Sequence, residues 1–319
     1  MNADEIRELA DGFKASRVLL TAFELGVFTA LGESGATAAG VAGEIGADPR
    51  ATERLLCALC ALDLVEKRDE TYRNTPAAQR HLVTGGSDFL ASLGHTGNLW
   101  EAWSTLTACV REGHRVRRLT GWTENFIEAM HSRARRVAPR LVDGLEIQGA
   151  RRMLDVGGGS GVFAMAFVQG DPERRATLLD LPEVIPIARR FIEAEGLAEQ
   201  IACVAGDYNQ ADFGEGYDFV LLSAILHINS ADQNRALLCK TARALAPGGL
   251  VVIREFLVEE SRTAPVHAAL FGLNMLVATE RGDVYTESEI AGWLAEAGFT
   301  EIRRIEAPGR GDTITARAK

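Results

Sequence analysis

One short run in this chain is dominated by glycine and headed by a carboxylate: Asp155-Val156-Gly157-Gly158-Gly159-Ser160-Gly161. Glycines at that density let a backbone turn sharply and come close to a ligand, as loops at the end of a parallel sheet do when they hold a nucleotide. The details argue against a bound diphosphate. A dinucleotide fingerprint reads Gly-x-Gly-x-x-Gly; here Gly157 and Gly159 fit, Gly161 falls one residue early, and Val162 holds the third place. No Lys-Ser/Thr follows as in a phosphate-binding loop, and Asp155 puts a negative charge at the start of the turn. The ligand expected is nucleotide-like and free of phosphate.

Two further carboxylates follow successive apolar runs. Asp180 ends the run 176–180, where a carboxylate can accept both hydroxyls of a ribose. Asp207 follows the run 201–205, in Gly206-Asp207-Tyr208, where a side-chain acceptor can take an adenine amino group. With the carboxylate-headed loop, these fit S-adenosyl-L-methionine, which carries an ammonium and a sulfonium and no phosphate. Of the six histidines, His227 is the one at the carboxyl end of an apolar run, Ala224-Ile225-Leu226-His227. Taken alone, a histidine so placed reads first as a core residue. Its alternative is a general base, since an imidazole of ordinary pKa ~6.5 can take a proton from a hydroxyl near neutral pH.

The elements that must position these residues alternate along the second half. Strands are expected at 152–156, 176–180, 201–205, 217–222 and 250–255, with helices at 162–169, 184–195 and 232–245. Such alternation implies a parallel sheet covered on both faces. The end differs: strands at 301–305 and 313–317 flank the turn Pro308-Gly309-Arg310-Gly311 and predict a closing antiparallel hairpin.

The first 95 residues read as short helices followed by two strands, 64–68 and 70–75, the order of a winged helix. Asp48 and Pro49 start the third helix, 51–64, as N-cap and first-turn residue. A DNA-binding regulator would need a basic recognition helix, but this one has Arg54 as its single basic residue, beside Glu53, and is mostly apolar, which suits burial against another subunit or the rest of the chain. The net charge of −10 also opposes a nucleic-acid partner, and the basic stretches at 111–118 and 133–140 read as solvated helix faces. Residues 96–140 are expected to be helical and hold Trp100, Trp103, Trp122, Phe126 and Met130; three of the four tryptophans here favour a lid or pocket wall.

The 319 residues, 47% hydrophobic and 24% charged, suit two soluble globular domains. No apolar run approaches the ~20 residues of a membrane span and no export signal is evident, so the expected location is cytoplasmic, with no membrane partner. The five scattered cysteines read as reduced thiols. Cys57-x-x-Cys60 has the spacing of half a zinc site, but no second pair follows, and its apolar surroundings predict core packing.

The second half resembles class I S-adenosylmethionine methyltransferases, and nearly the whole chain resembles the plant-caffeate and hydroxyindole type of small-molecule O-methyltransferase. The matching pieces are the Asp155–Gly161 loop, Leu179-Asp180-Leu181-Pro182, Gly206-Asp207, Leu226-His227 and Ala246-Pro247-Gly248-Gly249-Leu250. Leu273-Asn274-Met275-Leu276-Val277 and Glu296-Ala297-Gly298-Phe299 complete them, and Phe126-x-x-x-Met130 is similar to a substrate-wall motif. The resemblance implies an α/β fold: a Rossmann-like methyltransferase domain (141–319), a helical linker to the acceptor pocket (96–140), and an N-terminal, mostly helical winged-helix-like dimerisation domain (1–95) that makes a homodimer.

It also implies roles. His227 becomes the general base and Glu255 its orienting carboxylate. Asp155, Gly157, Gly159, Gly161, Asp180, Leu181, Gly206, Asp207, Tyr208 and Ser223 hold the cofactor, whose product is S-adenosyl-L-homocysteine. Trp100, Trp103, Phe126, Met130, Phe271, Asn274 and Met275 are candidates for the pocket of an aromatic small-molecule acceptor, and no metal is implied.

The chain departs from the pattern at the base. The plant-type His-Asp-Trp is here His227-Ile228-Asn229, and Val284 stands where a second orienting glutamate belongs, with Glu280 and Asp283 as the nearby carboxylates. The departure leaves several readings open: a less firmly oriented base, an acceptor acidic enough to need little base, a carbon acceptor, or an S-adenosylmethionine enzyme that transfers no methyl. An NAD(P)-dependent oxidoreductase is a more distant alternative that Val162 opposes.

Overall fold

The N-terminal helices begin where the sequence supplies caps. Asn2 accepts from the amides of Asp4 and Glu5 while Glu5 returns to the Asn2 amide, starting α1 (Ala3–Asp11), which buries none of its residues. Then come α2 (Phe13–Glu24), α3 (Val27–Leu31), β1 (Ala36–Thr37) and α4 (Ala38–Ile45), capped by Thr37. Asp48 accepts from the Ala51 amide at 2.8 Å, and Pro49 occupies the first turn of α5 (Pro49–Ala61), as expected. The hairpin β2 (Val65–Arg68) and β3 (Thr71–Asn74) pairs with β1 in a three-stranded antiparallel sheet of order β1-β3-β2, followed by α6 (Pro76–Leu82).

This winged-helix arrangement packs on Phe28, Leu31, Val41, Leu56, Leu59 and Tyr72, each worth about 1.5–3 kcal/mol of burial. Cys57 does not join them. The inward face of α5 is Thr52, Leu56 and Leu59, and the next residue points about 100° away, so Cys57 is exposed, correcting its expected core packing, whereas the half-buried Cys60 packs against this core as expected.

The computed structural model describes residues 1–86, 88–118, 123–147, 149–306 and 311–319; Trp122 and the turn residues Pro308, Gly309 and Arg310 lie outside them. The described chain divides into two compact units, Met1–Asn98 and Leu99–Lys319. Helix α7 (Ser92–Trp103) runs through the division and leads to α8 (Leu106–Glu112), α9 (Thr123–Ala134) and α10 (Ala138–Gly144).

The second unit is an alternating α/β structure: β4 (Arg152–Val156), α11 (Val162–Val168), β5 (Arg175–Asp180), α12 (Ile185–Ala194), β6 (Ile201–Ala205), β7 (Tyr217–Ser223), a 3₁₀ turn (Leu226–Ile228), α13 (Ala231–Ala244) and β8 (Leu245–Glu255). After α14 (Val266–Ala278) and α15 (Glu287–Glu296), β9 (Thr300–Ile305) and β10 (Asp312–Arg317) form the expected antiparallel hairpin. The seven strands lie in the order β6-β5-β4-β7-β8-β10-β9, with the first five parallel.

Alternate residues of the central strands feed two cores. Leu154, Val220, Leu222 and Ile253 pack with Leu237, Leu238 and Trp293 on one face; Met153, Phe219, Leu221 and Val252 pack with Phe163 and Phe167 on the other. The chain runs outward from β4 through β5 to β6 and then returns to β7 beside β4. That reversal opens a crevice at the strands' carboxyl ends, the usual ligand position in such sheets.

Candidate active site

The glycine loop opens at that crevice between β4 and α11. Gly157, Gly159 and Gly161 have φ of +64°, +57° and +79°, the left-handed region that side chains disfavour. Gly157 has no room for one either, since a Cβ would lie 2.3 Å from Ile225 Cδ1. The Gly159 amide donates to Asp180 Oδ2 at 2.8 Å and the Leu181 amide to Asp180 Oδ1 at 2.7 Å, so the carboxylate ending β5 ties the loop to its own strand. Burial pushes the Asp180 carboxyl upward, against the lowering effect of those two amides.

Asp155, beneath the loop, is fully buried. Desolvation pushes its carboxyl up to about 7, partly offset by the Ala164 amide, and its Oδ2 has no hydrogen-bond partner among the described residues. It is therefore no fixed negative charge near neutral pH, but an acid that a nearby cation would ionise. A bare backbone cradle over such an acid fits a cationic, phosphate-free nucleoside.

His131, which nothing in the sequence singles out, clasps this loop. Ser160 Oγ lies 2.9 Å from His131 Nδ1, and the His131 ring stacks on Phe191 with centroids 4.1 Å apart. His131 belongs to α9, the helix of Phe126 and Met130, and Ile127 of that helix packs on Val184 and Ile187. Burial, with the nearby Arg135, lowers the imidazole's pKa and favours its neutral form.

On the other side, the Gly206 amide donates to the Asp180 carbonyl at 2.9 Å. Asp207 Oδ1 accepts from the Asn209 amide at 2.8 Å, closing a tight turn. Lys240 Nζ donates to the carbonyls of Tyr208, Asn209 and Ala211 at 2.7, 3.2 and 3.0 Å, holding that turn from α13. Tyr208 Oη donates to Asn229 Oδ1 at 2.9 Å, and burial pushes the phenol up to about 12. Ser223 ends β7 at half-burial, just before Ala224 in a left-handed conformation.

His227 sits in the 3₁₀ turn after β7, buried, with Nδ1 2.7 Å from Glu255 Oε2. An ionised carboxylate only accepts, so Nδ1 carries the proton and Nε2 keeps its lone pair. Glu255 Oε1 accepts from the Leu226 amide at 2.7 Å, so both carboxylate oxygens work on this turn. The Asp283 amide donates to the His227 carbonyl at 3.1 Å.

One glutamate thus holds the ring, and among the described residues no second carboxylate stands in. Val284 is buried with Val258 and Ala268; Glu280 is 81% exposed beside Arg115, and Asp283 caps the Val284 amide. Asn229 replaces an expected tryptophan in the motif and is buried. Its Nδ2 donates to Asn234 Oδ1 at 3.0 Å, Asn234 Nδ2 donates to the Leu226 carbonyl at 2.9 Å, and Tyr285 Oη donates to the Asn229 carbonyl at 2.5 Å.

Aromatic rings flank the base. Phe271 meets the His227 ring edge-on at 4.9 Å, and Phe256 lies 4.7 Å from Phe271. One turn along α14, Asn274 Oδ1 accepts from Trp103 Nε1 at 2.9 Å, with Met275 buried beside it; Trp100 precedes Trp103 by a turn of α7. Phe126 and Met130 share a face of α9, where Phe126 is exposed. Phe256 was legible only as the residue after Glu255, and Asn234 only as a polar residue on the apolar face of α13.

Among the described residues, no three His, Cys, Asp or Glu side chains group as metal ligands, and no helix is long and apolar enough to cross a membrane.

Comparison with known proteins adds to this geometry. Residues 114–300 match an O-methyltransferase domain, and residues 7–84 match an O-methyltransferase dimerisation domain. The chain is 34% identical to the 3-hydroxy-5-methyl-1-naphthoate 3-O-methyltransferase of Streptomyces sahachiroi, over 97% of this chain and 93% of that one. Its fold is similar to that of PigF with SAH (S-adenosylhomocysteine), with a TM-score of 0.91 and 27% identity over 99% of this chain and 100% of that one. It is also similar to human N-acetylserotonin methyltransferase in complex with SAM (S-adenosylmethionine), with a TM-score of 0.84 and 27% identity over 99% of each chain.

Proposed function

The chain belongs to the O-methyltransferase family and uses S-adenosyl-L-methionine; from that premise we propose that it methylates a phenolic hydroxyl of an aromatic small molecule, with His227 as general base. The observation that carries this reading is the His227–Glu255 pair, which leaves Nε2 as a proton acceptor beside two aromatic rings. The Streptomyces relative's name specifies transfer to the hydroxyl of a hydroxynaphthoate, which supports an acceptor of that class.

When bound, the cofactor supplies an electrophilic methyl group on its sulfonium and is left as S-adenosyl-L-homocysteine. Asp155, Gly157, Gly159 and Gly161 would hold it at the glycine loop, and Asp180 with Leu181 would take the ribose. Gly206, Asp207, Tyr208 and Ser223 would take the adenine end. His227 Nε2 removes the proton of the acceptor hydroxyl as its oxygen attacks, and Glu255 steadies the imidazolium that results. Phe256 and Phe271 offer a flat ring a wall, shared with Trp100, Phe126, Met130 and Met275. Because Trp103 engages Asn274 Oδ1, the Asn274 amino group is the one left to donate, which favours an acceptor with an oxygen substituent.

The N-terminal unit, matched over 7–84 by a dimerisation domain, supports a homodimer, and the free cysteines suit a reducing cytoplasm. Light scattering tests the dimer directly.

Calorimetric titration with S-adenosylmethionine should give one site per chain. Mass spectrometry over a panel of phenols, hydroxyquinones and keto acids should then show one added methyl, which NMR places on oxygen. A carbon-methylated product would refute the hydroxyl acceptor and leave the cofactor in place; absence of cofactor binding would refute the whole proposal. His131→Phe keeps the stack on Phe191 and removes the hydrogen bond to Ser160. It should weaken S-adenosylhomocysteine binding about two- to tenfold, the worth of one net hydrogen bond; unchanged affinity would mean that the clasp is not felt by the cofactor.

A further inference from the structure

We propose that Asn229 and Asn234 are positioning residues that register the His227 turn against the Gly206-Asp207-Tyr208 loop, so that the base takes its working place together with the cofactor. The inference rests on the assignment of that loop to the adenine and of His227 to proton removal.

The polarity of the connection is forced. The Leu226 carbonyl can only accept, so Asn234 must present Nδ2 to it, at 2.9 Å. Asn234 Oδ1 is then the atom facing Asn229 Nδ2, at 3.0 Å, which leaves Asn229 Oδ1 for the Tyr208 hydroxyl, at 2.9 Å. Neither amide can flip without setting two donors or two acceptors face to face. Leu226 continues the chain from its other side, giving its amide to Glu255 Oε1, while Glu255 Oε2 takes the proton on His227 Nδ1, both at 2.7 Å.

One series of hydrogen bonds, directed from Tyr208 to Glu255 and met there by the His227 donor, therefore brackets Leu226 and joins the loop after β6 to the base after β7. Asn229 and Asn234 are 2% and 0% exposed, so water cannot replace a lost partner. Helix α13 braces both ends, with Asn234 near its start and Lys240 holding three loop carbonyls. Tyr285 pins the Asn229 carbonyl from the opposite side. The same stretch lacks the motif's aspartate and tryptophan, and Val284 removes the second glutamate, so orientation supplied through this series accounts for both departures.

The test uses full-length protein with 15N-labelled histidine, the His227 signals being assigned by their loss in His227→Gln, and S-adenosylhomocysteine as the probe. In the wild type, the probe should shift the His227 imidazole resonances. Tyr208→Phe keeps the ring and deletes only the donor. It should at least halve that shift and lower kcat about tenfold on a phenol from the panel, the scale of a slightly misplaced catalytic group, with the acceptor KM within about twofold. Asn229→Leu should do the same from the middle of the series; if it fails to fold, Tyr208→Phe decides alone.

A full His227 response and kcat within about twofold of wild type in Tyr208→Phe, even with a lowered melting temperature, would overturn the proposal and leave the series a structural plug. A wild-type His227 signal indifferent to bound probe would overturn it equally. Failure of the wild type to bind the probe would instead remove the functional reading, and the proposal with it.

Discussion

His227→Ala is expected to lower kcat by about 10²- to 10⁴-fold on a phenolic acceptor, while the affinity for S-adenosylhomocysteine stays within about twofold. The size follows from the proton's path. A phenol loses its proton as its oxygen gains the methyl group, and the lone pair that His227 has left to receive that proton under the proposed assignment is Nε2, because Nδ1 is committed to Glu255 at 2.7 Å. Affinity should hold because the glycine loop, Asp180 and Asp207 make their contacts without the imidazole.

Glu255→Gln should act in the same direction. A glutamine has one acceptor oxygen for two donors, the Leu226 amide and His227 Nδ1, so it either releases the turn or reverses the tautomer. If the pair works as a unit, the double variant is little worse than His227→Ala alone. Full turnover by His227→Ala on a hydroxyl acceptor would end the base assignment and leave the fold and cofactor untouched.

Asp155→Asn should make the protein more stable at pH 8 than the wild type, with the gap closing as the pH falls toward 4. The sign follows from linkage: burial raises the folded-state pKa from 3.8 to about 7. Below 3.8 the carboxyl is neutral in both folded and unfolded chains. As the pH rises toward 7, the unfolded chain ionises freely while the folded one resists, so stability is progressively lost. At about 1.4 kcal/mol per unit, that span bounds the difference at about 4 kcal/mol, several degrees in melting temperature.

The same carboxyl should lose its proton when a cation binds near it. S-adenosylmethionine should therefore release more protons than S-adenosylhomocysteine near neutral pH, which calorimetry in buffers of different ionisation enthalpy measures. A wild type and Asp155→Asn that melt together at pH 8, with no difference in proton release, would mean that the buried Asp155 ionises as an ordinary acid does.

Much of this was legible in the residues because it rests on local rules. The period of apolar positions set strands and helices, Asp48 and Pro49 marked a helix start, and the glycine spacing argued against a diphosphate. The placement of Asp180, Asp207 and His227 at strand ends needed only the order of elements.

What could not be read depends on which faces meet after the chain crosses over. Cys57 looked interior because its neighbours are apolar, yet the phase of α5 turns it outward. Asn229 and Asn234 looked like ordinary turn and helix polar residues, since nothing local says that Tyr208 will arrive beside them. His131 gave no signal because its partner Ser160 belongs to a different element. Val284 did signal a missing carboxylate, but not that the remaining glutamate engages the His227 turn with both of its oxygens.

Glu255 closes β8, a strand hydrogen-bonded on one side to β7 and on the other to β10. The residues proposed to face the acceptor, Phe126, Met130, Phe271 and Asn274, stand on the helices α9 and α14 instead. On the proposed assignment, proton handling and acceptor choice fall on separable parts of the molecule. Substitutions on the two helices can retune which aromatic compound is taken while the sheet-borne base pair stays fixed, a division of labour that lets such an enzyme diversify its chemistry's target without rebuilding the chemistry.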